Sequence, residues 1–171
     1  MQQNYVFVID TNKQKLNPVT PKQARRLLEL GKAAVFRIYP FTLILKTAID
    51  NPTIRPLTLK IDPGSKYTGI ALLEGEKVIW GGELEHRGYQ IKDALLSRRQ
   101  LRRSRRNRKT RYRKSRFDNR KCVEGWLPPS LEHRILTTET WVKRLMRYGP
   151  ITELWIDKVK FDMQQMQNPE I

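Results

Sequence analysis

Leu57-Thr58-Leu59-Lys60-Ile61-Asp62-Pro63-Gly64-Ser65, followed by Lys66-Tyr67-Thr68-Gly69-Ile70-Ala71-Leu72-Leu73, is the stretch on which the fold turns. Leu57, Leu59 and Ile61 alternate with Thr58 and Lys60, the period of two that belongs to a strand with one buried face. Asp62-Pro63-Gly64-Ser65 ends that strand with three strong turn formers. Thr68–Leu73 and Lys77–Trp80 read as two further strands joined through Glu74-Gly75-Glu76. Together they predict a three-stranded antiparallel meander, with Gly81-Gly82 marking a bend or a bulge.

Downstream the period changes. From Ile91 the pattern is helical, and a helix is expected from about Tyr89 into a run of arginines. A second helix fits Ser130–Tyr148: Ser130 stands at the N-cap, Ile135, Thr138, Val142, Leu145 and Met146 share a stripe, and Gly149-Pro150 stops it. Ile151–Ile156 is a fourth strand, ending at Asp157. Strand, strand, strand, helix, helix, strand predicts an α/β fold with a mixed sheet. If the fourth strand lies beside and parallel to the first, Asp62 and Asp157 project from the same edge, within range of a shared metal ion.

Upstream, the first fifty residues read as a small α+β unit. Tyr5–Ile9 is a short β-type run closed by Asp10-Thr11-Asn12. Thr20-Pro21-Lys22-Gln23 carries a capping box with proline at the first helical position, and Gly31 stands where a helix ends. Ala33–Ile38 and Thr42–Lys46 are two more β-type runs, broken at Tyr39-Pro40. Asn51-Pro52 and Arg55-Pro56 form a linker.

Composition narrows the partner. The 171 residues hold 34 Lys+Arg against 17 Asp+Glu, a net charge of +17, so a polyanion is the leading partner class. The excess is local: between Arg98 and Lys121 fourteen basic residues meet one acid, Asp118, leaving 20 basic and 16 acidic residues elsewhere. A hydrophobic content of 39% with four Trp is too rich for a fully disordered chain. One cysteine, Cys122, has no internal disulfide partner and cannot hold a structural zinc alone, which points to a reducing cytosol. No apolar run approaches the roughly 18 residues a membrane span needs. The Met1-Gln-Gln-Asn-Tyr5 start lacks the basic and apolar regions of a secretory signal.

The arginine segment is the strongest functional signal: Arg98, Arg99, Arg102, Arg103, Arg105, Arg106, Arg108, Lys109, Arg111, Arg113, Lys114 and Arg116. On a helix these residues read as basic on every face, with like charges at i,i+4 such as Arg98/Arg102 and Arg102/Arg106. Phosphates relieve that repulsion, and the guanidinium fork bonds phosphate bidentately and stacks on exposed bases. Twenty helical residues span about 30 Å, enough to follow a nucleic-acid groove. The competing reading is a solvated or localisation-type charge run. The charges do not distinguish RNA from DNA.

Asp62 and Asp157 are the candidate acids. A metal-dependent phosphoryl-transfer site needs two or three converging carboxylates, because Mg²⁺ takes oxygen ligands. The alternatives are that Asp62 closes a turn and Asp157 is an exposed strand-end acid, with Glu153 and Asp162 as weaker rivals. Glu83, Glu85 and His86 offer acidic or titrating groups near the sheet edge, but read rather as ordinary polar strand-end residues. Trp126 reads as an anchor of its loop to the core, and His133 as a helix-surface residue.

Taken in order, Lys60-Ile61-Asp62-Pro63-Gly64-Ser65-Lys66 with Thr68-Gly69-Ile70-Ala71, Glu83-Leu84-Glu85-His86-Arg87-Gly88, and Arg98-Arg99-Gln100-Leu101-Arg102-Arg103-Ser104-Arg105-Arg106 resemble the RRXRR-domain proteins. That group includes the transposon-encoded RNA-guided nucleases of IscB type, and the resemblance runs from Val6 to Ile171. It implies a small N-terminal domain over residues 1–52 and a first RuvC-like segment over 53–88, then an arginine-rich bridge helix over 89–120. Residues 121–171 would hold a connecting helix and the start of a second RuvC-like segment. The fold implied is an incomplete RNase H-like sheet. Asp62 and Asp157 would be catalytic Mg²⁺ ligands, and the arginine helix would hold guide RNA and its heteroduplex with target DNA. The implied place of work is a prokaryotic cytoplasm, at the nucleoid.

Three departures qualify this. The Pro-Leu-Met-Pro motif of the N-terminal domain reads Lys15-Leu16-Asn17-Pro18 here. The family carries glutamate at Asp157, so this carboxylate would sit about 1.5 Å further back. A displacement of about 1 Å can cost on the order of a hundredfold in rate. The HNH domain and the third RuvC segment do not occur before Ile171, so this chain alone is expected to be a poor nuclease or none. Two other classes stay open. One is a structural RNA-binding protein without catalysis. The other is a nucleotide-binding fragment of actin/sugar-kinase type, since Asp62-x-Gly64-x-x-x-x-Gly69 also fits a phosphate-cradling loop.

Overall fold

The computed structural model describes residues 4–108, 110 and 122–158. Its elements are β1 (Phe7–Ile9), α1 (Pro21–Glu29), β2 (Ala33–Arg37), β3 (Thr42–Leu45), β4 (Leu57–Pro63), β5 (Tyr67–Glu74), β6 (Lys77–Glu85), α2 (Gly88–Asn107), α3 (Pro129–Tyr148) and β7 (Ile151–Ile156). The described residues therefore form an α/β structure of two mixed sheets and three helices.

The smaller sheet has the order β1-β3-β2, with β1 parallel and β2 antiparallel to β3. α1 begins with the capping box read in the sequence: the Thr20 hydroxyl accepts from the Gln23 N–H, and the Gln23 side chain accepts from the Thr20 N–H. Gly31, at φ +65°, takes the left-handed position that follows this helix. Asp10 is fully buried, its carboxylate accepting from the Gln14 N–H at 2.7 Å. Asn17 holds the segment before β4 from both sides, donating to the Thr53 carbonyl and accepting from the Arg55 N–H, each at 2.8 Å.

The larger sheet has the order β6-β5-β4-β7. β4, β5 and β6 form the expected antiparallel meander, and β7 lies parallel to β4 with Leu57 opposite Ile151 and Ile61 opposite Ile156. β4 shows why: Leu57, Leu59 and Ile61 are buried while Lys60 and Asp62 are exposed. One core joins Leu57, Leu59, Ile61, Ile70, Leu72 and Ile79 to Leu145 and Tyr148 of α3 and to Phe7 and Ile9 of β1. The start of the chain also borders the β6 edge, where the Tyr5 N–H donates to the Ile79 carbonyl and the Asn4 side chain bonds both N–H and carbonyl of Gly81.

Three local readings need correction. The first strand does not end before Asp62: Asp62 and Pro63 still pair with Gly69 and Thr68. The turn starts at Gly64, where a Cβ would overlap the Tyr67 carbonyl oxygen. Gly81 and Gly82 do not bend the third strand. They pair with Ala71 and Ile70, and the bulge falls earlier, where Leu72 opposes Trp80 and Leu73 opposes Val78. The ring of Trp80 lies over Gly82, a place that a side chain there would crowd. α3, finally, begins at Pro129 without a side-chain cap, so Ser130 lies inside its first turn.

Candidate functional site

Paired residues of a sheet share a face, which turns the register into a map of the outer surface. One row reads Gly81–Ala71–Lys60–Trp155 across β6, β5, β4 and β7. The next row reads Glu83–Gly69–Asp62. Asp157 follows Ile156, the partner of Ile61, and its N–H donates to the Ile61 carbonyl at 3.0 Å. It therefore stands level with Asp62 at the end of the adjacent parallel strand, one strand spacing of about 4.8 Å away at the backbone.

These rows line an open groove of about 820 Å³ that includes Lys60, Asp62, Gly69, Glu83, Trp155 and Asp157. Its floor is low because Gly69, Ala71 and Gly81 carry little or no side chain. Asp62 and Asp157 are both exposed. Among the described residues no group of three or more His, Cys, Asp or Glu is placed to hold a metal ion. Two neighbouring carboxylates still fit Mg²⁺, which keeps several waters and binds through one or two carboxylates plus phosphate oxygens. They do not fit an all-protein cage. Glu83 shares the row of Asp62 but is separated from it by the whole width of β5. Glu153 is engaged elsewhere, accepting from the Thr58 hydroxyl at 3.2 Å. Asp162 lies outside the described residues.

α2 presents the arginines. None of its residues is buried, and it packs against α3. Arg98, Arg99, Arg102, Arg103, Arg105, Arg106 and Arg108 are all exposed. Among the described residues no ion pair engages any of them. At 3.6 residues per turn Gln100, Ser104 and Asn107 form an uncharged stripe at i, i+4 and i+7, so the described part of the helix is basic on a broad arc and not all round. That stripe lines a shallow depression with Arg103 and Arg108. Lys109, Arg111, Arg113, Lys114 and Arg116 lie outside the described residues.

His86, read from the sequence as an ordinary polar strand-end residue, proves to be an enclosed titratable group. It is buried, its Nε2 lies 2.7 Å from the Thr68 hydroxyl oxygen, and its N–H donates to the Lys66 carbonyl. Burial pushes its imidazole pKa down, helped by the electrostatic influence of nearby Arg134 and then His133. Its Nδ1 and the Arg134 Nε are both buried without a hydrogen-bond partner among the described residues. A signal for this was present: Leu84 pairs with buried Thr68, and Trp80, Gly82, Leu84 and His86 continue one alternation on the core face. His133 is half-buried, with its Nδ1 3.3 Å from the Thr137 hydroxyl. Trp126 does not anchor its loop, being 53% exposed.

A family model described as RRXRR protein matches residues 6–171. No curated protein matches the chain.

Proposed function

The chain belongs to the RRXRR protein family, and on that footing we propose that it is the RNA-binding portion of a transposon-associated, RNA-guided DNA endonuclease of IscB type. In this reading β4–β7 are the first and second RuvC segments of an RNase H-like sheet, and α2 is the bridge helix. The observation that carries it is the level placement of Asp62 and Asp157 on neighbouring parallel strands, on an open groove, in a chain whose exposed α2 bears the arginines.

The residues divide the work. The α2 arginines hold guide RNA and its heteroduplex through phosphate contacts, which read backbone shape and leave base sequence to pairing. Asp62 and Asp157 would hold Mg²⁺, which supplies Lewis-acid polarisation of a phosphoryl oxygen and an activated water. Lys60 brings a cation to the same face, where it would meet a phosphate of the DNA strand to be cut. No described helix is long and apolar enough to cross a membrane, and the proposed setting is the prokaryotic cytoplasm at the nucleoid.

The test is calorimetric titration of the chain with Mn²⁺ as a Mg²⁺ surrogate. Asp62→Asn should abolish binding and Asp157→Asn should weaken it, both leaving RNA affinity within about twofold. Unchanged metal binding in Asp62→Asn contradicts the catalytic half of the reading. A second reading, an RNA-binding protein without catalysis, is favoured by the lack of a third metal-ligating side chain among the described residues. Under it, both variants behave as the parent chain in every assay. A nucleotide-binding fragment of actin/sugar-kinase type leaves the arginines of α2 without a role and requires ATP binding in the absence of RNA.

A further inference from the structure

Trp155 is 62% exposed although it lies within a strand. It shares the outer face with Lys60, its direct partner on β4, and beyond Lys60 come Ala71 and Gly81. The indole Nε1 donates to Glu153 Oε2 at 3.3 Å, and the same oxygen accepts from the Thr58 hydroxyl at 3.2 Å. The ring is thus held by its polar edge, with no aromatic or cation–π partner for its faces among the described residues. The small residues across the groove floor leave room above it.

Exposed apolar side chains on an edge strand are often core surface awaiting more protein. Leu154 and Ile156, 48% and 50% exposed, fit that description: they share the face of buried Leu59 and Ile61, which carries no cation at those positions. Trp155 differs by sharing its face with Lys60 and with the acids that end the two strands. Trp155 and Asp157 are two positions apart, roughly 6.6 Å along a strand, close to one nucleotide step of an extended single strand. A base stacked on the indole would therefore set its neighbouring phosphate toward Asp62 and Asp157, with Lys60 beside it.

We infer that Trp155 and Lys60 form a subsite for one nucleotide of single-stranded DNA, Trp155 stacking on the base and Lys60 meeting a phosphate. The inference rests on the proposed nuclease reading of the groove and adds the residues that would seat its substrate strand. Stacking tolerates any base, so the subsite would be indifferent to sequence.

The experiment is photo-crosslinking of the full chain to a hexameric DNA oligonucleotide bearing one 5-iodouracil, with EDTA present. About 0.5 M salt suppresses phosphate-dominated binding by the arginines more than stacking. The crosslinked peptide should contain Trp155. By fluorescence anisotropy Trp155→Ala should weaken hexamer binding by about 5- to 100-fold, Trp155→Phe by much less, and Lys60→Gln should lower the salt dependence. Crosslinks confined to other segments, equal affinity in Trp155→Ala, or capture of an RNA hexamer in preference to DNA each overturn the inference. Asp62→Asn separates the two claims: the Trp155 crosslink should survive in it. Loss of the crosslink with intact Mn²⁺ binding by the parent chain defeats the subsite alone. A Trp155 crosslink without Mn²⁺ binding defeats the catalytic reading alone.

Discussion

β4 and α2 belong to one chain and are governed by opposite physics. Three of the seven residues of β4 are buried, with Leu59 fully enclosed, whereas none of the twenty residues of α2 is buried. β4 is specified by what it hides, and its exposed positions, Lys60 and Asp62, inherit their placement from the buried ones. α2 is specified by propensity, by its packing against α3, and by charges that repel each other until an anion arrives. Stability therefore concentrates in the sheet and, on the proposed reading, binding energy in the helix, so damage to one should leave the other measurably intact.

The largest separation is expected in the hydrophobic residues. Leu59→Ala, at a fully buried position, should cost about 2–5 kcal/mol in urea unfolding. Leu101→Ala, at a position 56% exposed on α2, should stay within about 0.5 kcal/mol. Similar losses for both would erase the contrast. Next, Thr20→Ala removes one half of the capping box and should lower stability by about 1 kcal/mol, with RNA affinity unchanged.

A smaller effect comes from His86, at the joint between β6 and α2. Its folded-state pKa lies below the ordinary value of 6.5, chiefly through burial. The unfolded chain then binds the proton more readily, so the stability linked to neutral His86 is present above pH 6.5 and is lost as the pH falls through the folded value. The midpoint of urea unfolding should decline between pH 7 and pH 5, and His86→Gln should flatten that decline. An identical pH profile in the variant contradicts the assignment. The smallest stability change belongs to the Arg98→Gln, Arg102→Gln, Arg106→Gln triple variant. Relief of two i,i+4 repulsions should raise thermal stability by a few tenths of a kcal/mol per pair, a gain that RNA-free unfolding would detect.

Much of this division was readable in the residues themselves. Alternation in Leu57–Ile61 foretold the buried face of β4, and the apolar run Ile151–Ile156 foretold a strand that proved to pair in parallel with it. The chemistry of the Thr20–Gln23 cap is local and was equally plain. What escaped the reading was set by tertiary pairing. Asp-Pro-Gly signals a turn in any context, yet pairing with Gly69 and Thr68 carries β4 through Pro63. Gly-Gly signals a bend, yet Gly81 and Gly82 stay in register because β5 and the Trp80 ring occupy the neighbouring space. His86 looked like a strand-end polar residue because it closes a strand, although its alternation with Trp80, Gly82 and Leu84 already pointed to the core face; the α3 residues beside it, Arg134 and His133, come from a distant stretch of sequence. For the candidate site, the level placement of Asp62 and Asp157 followed from one topological guess. The exposure of Trp155 required the register that sets it beside Lys60 on the outer face, with β7 last in the order of the described strands.

The central claim is that the arginine helix binds RNA through phosphates. It is tested most directly by filter binding of a structured RNA over a salt series. The account predicts a steep linear fall of log K with log salt, with a slope of about −0.7 to −0.9 for each phosphate engaged and at least six phosphates in all. In the triple glutamine variant the slope should become shallower by about two to three such steps. A slope corresponding to only one or two phosphates, or no change in the variant, would contradict it.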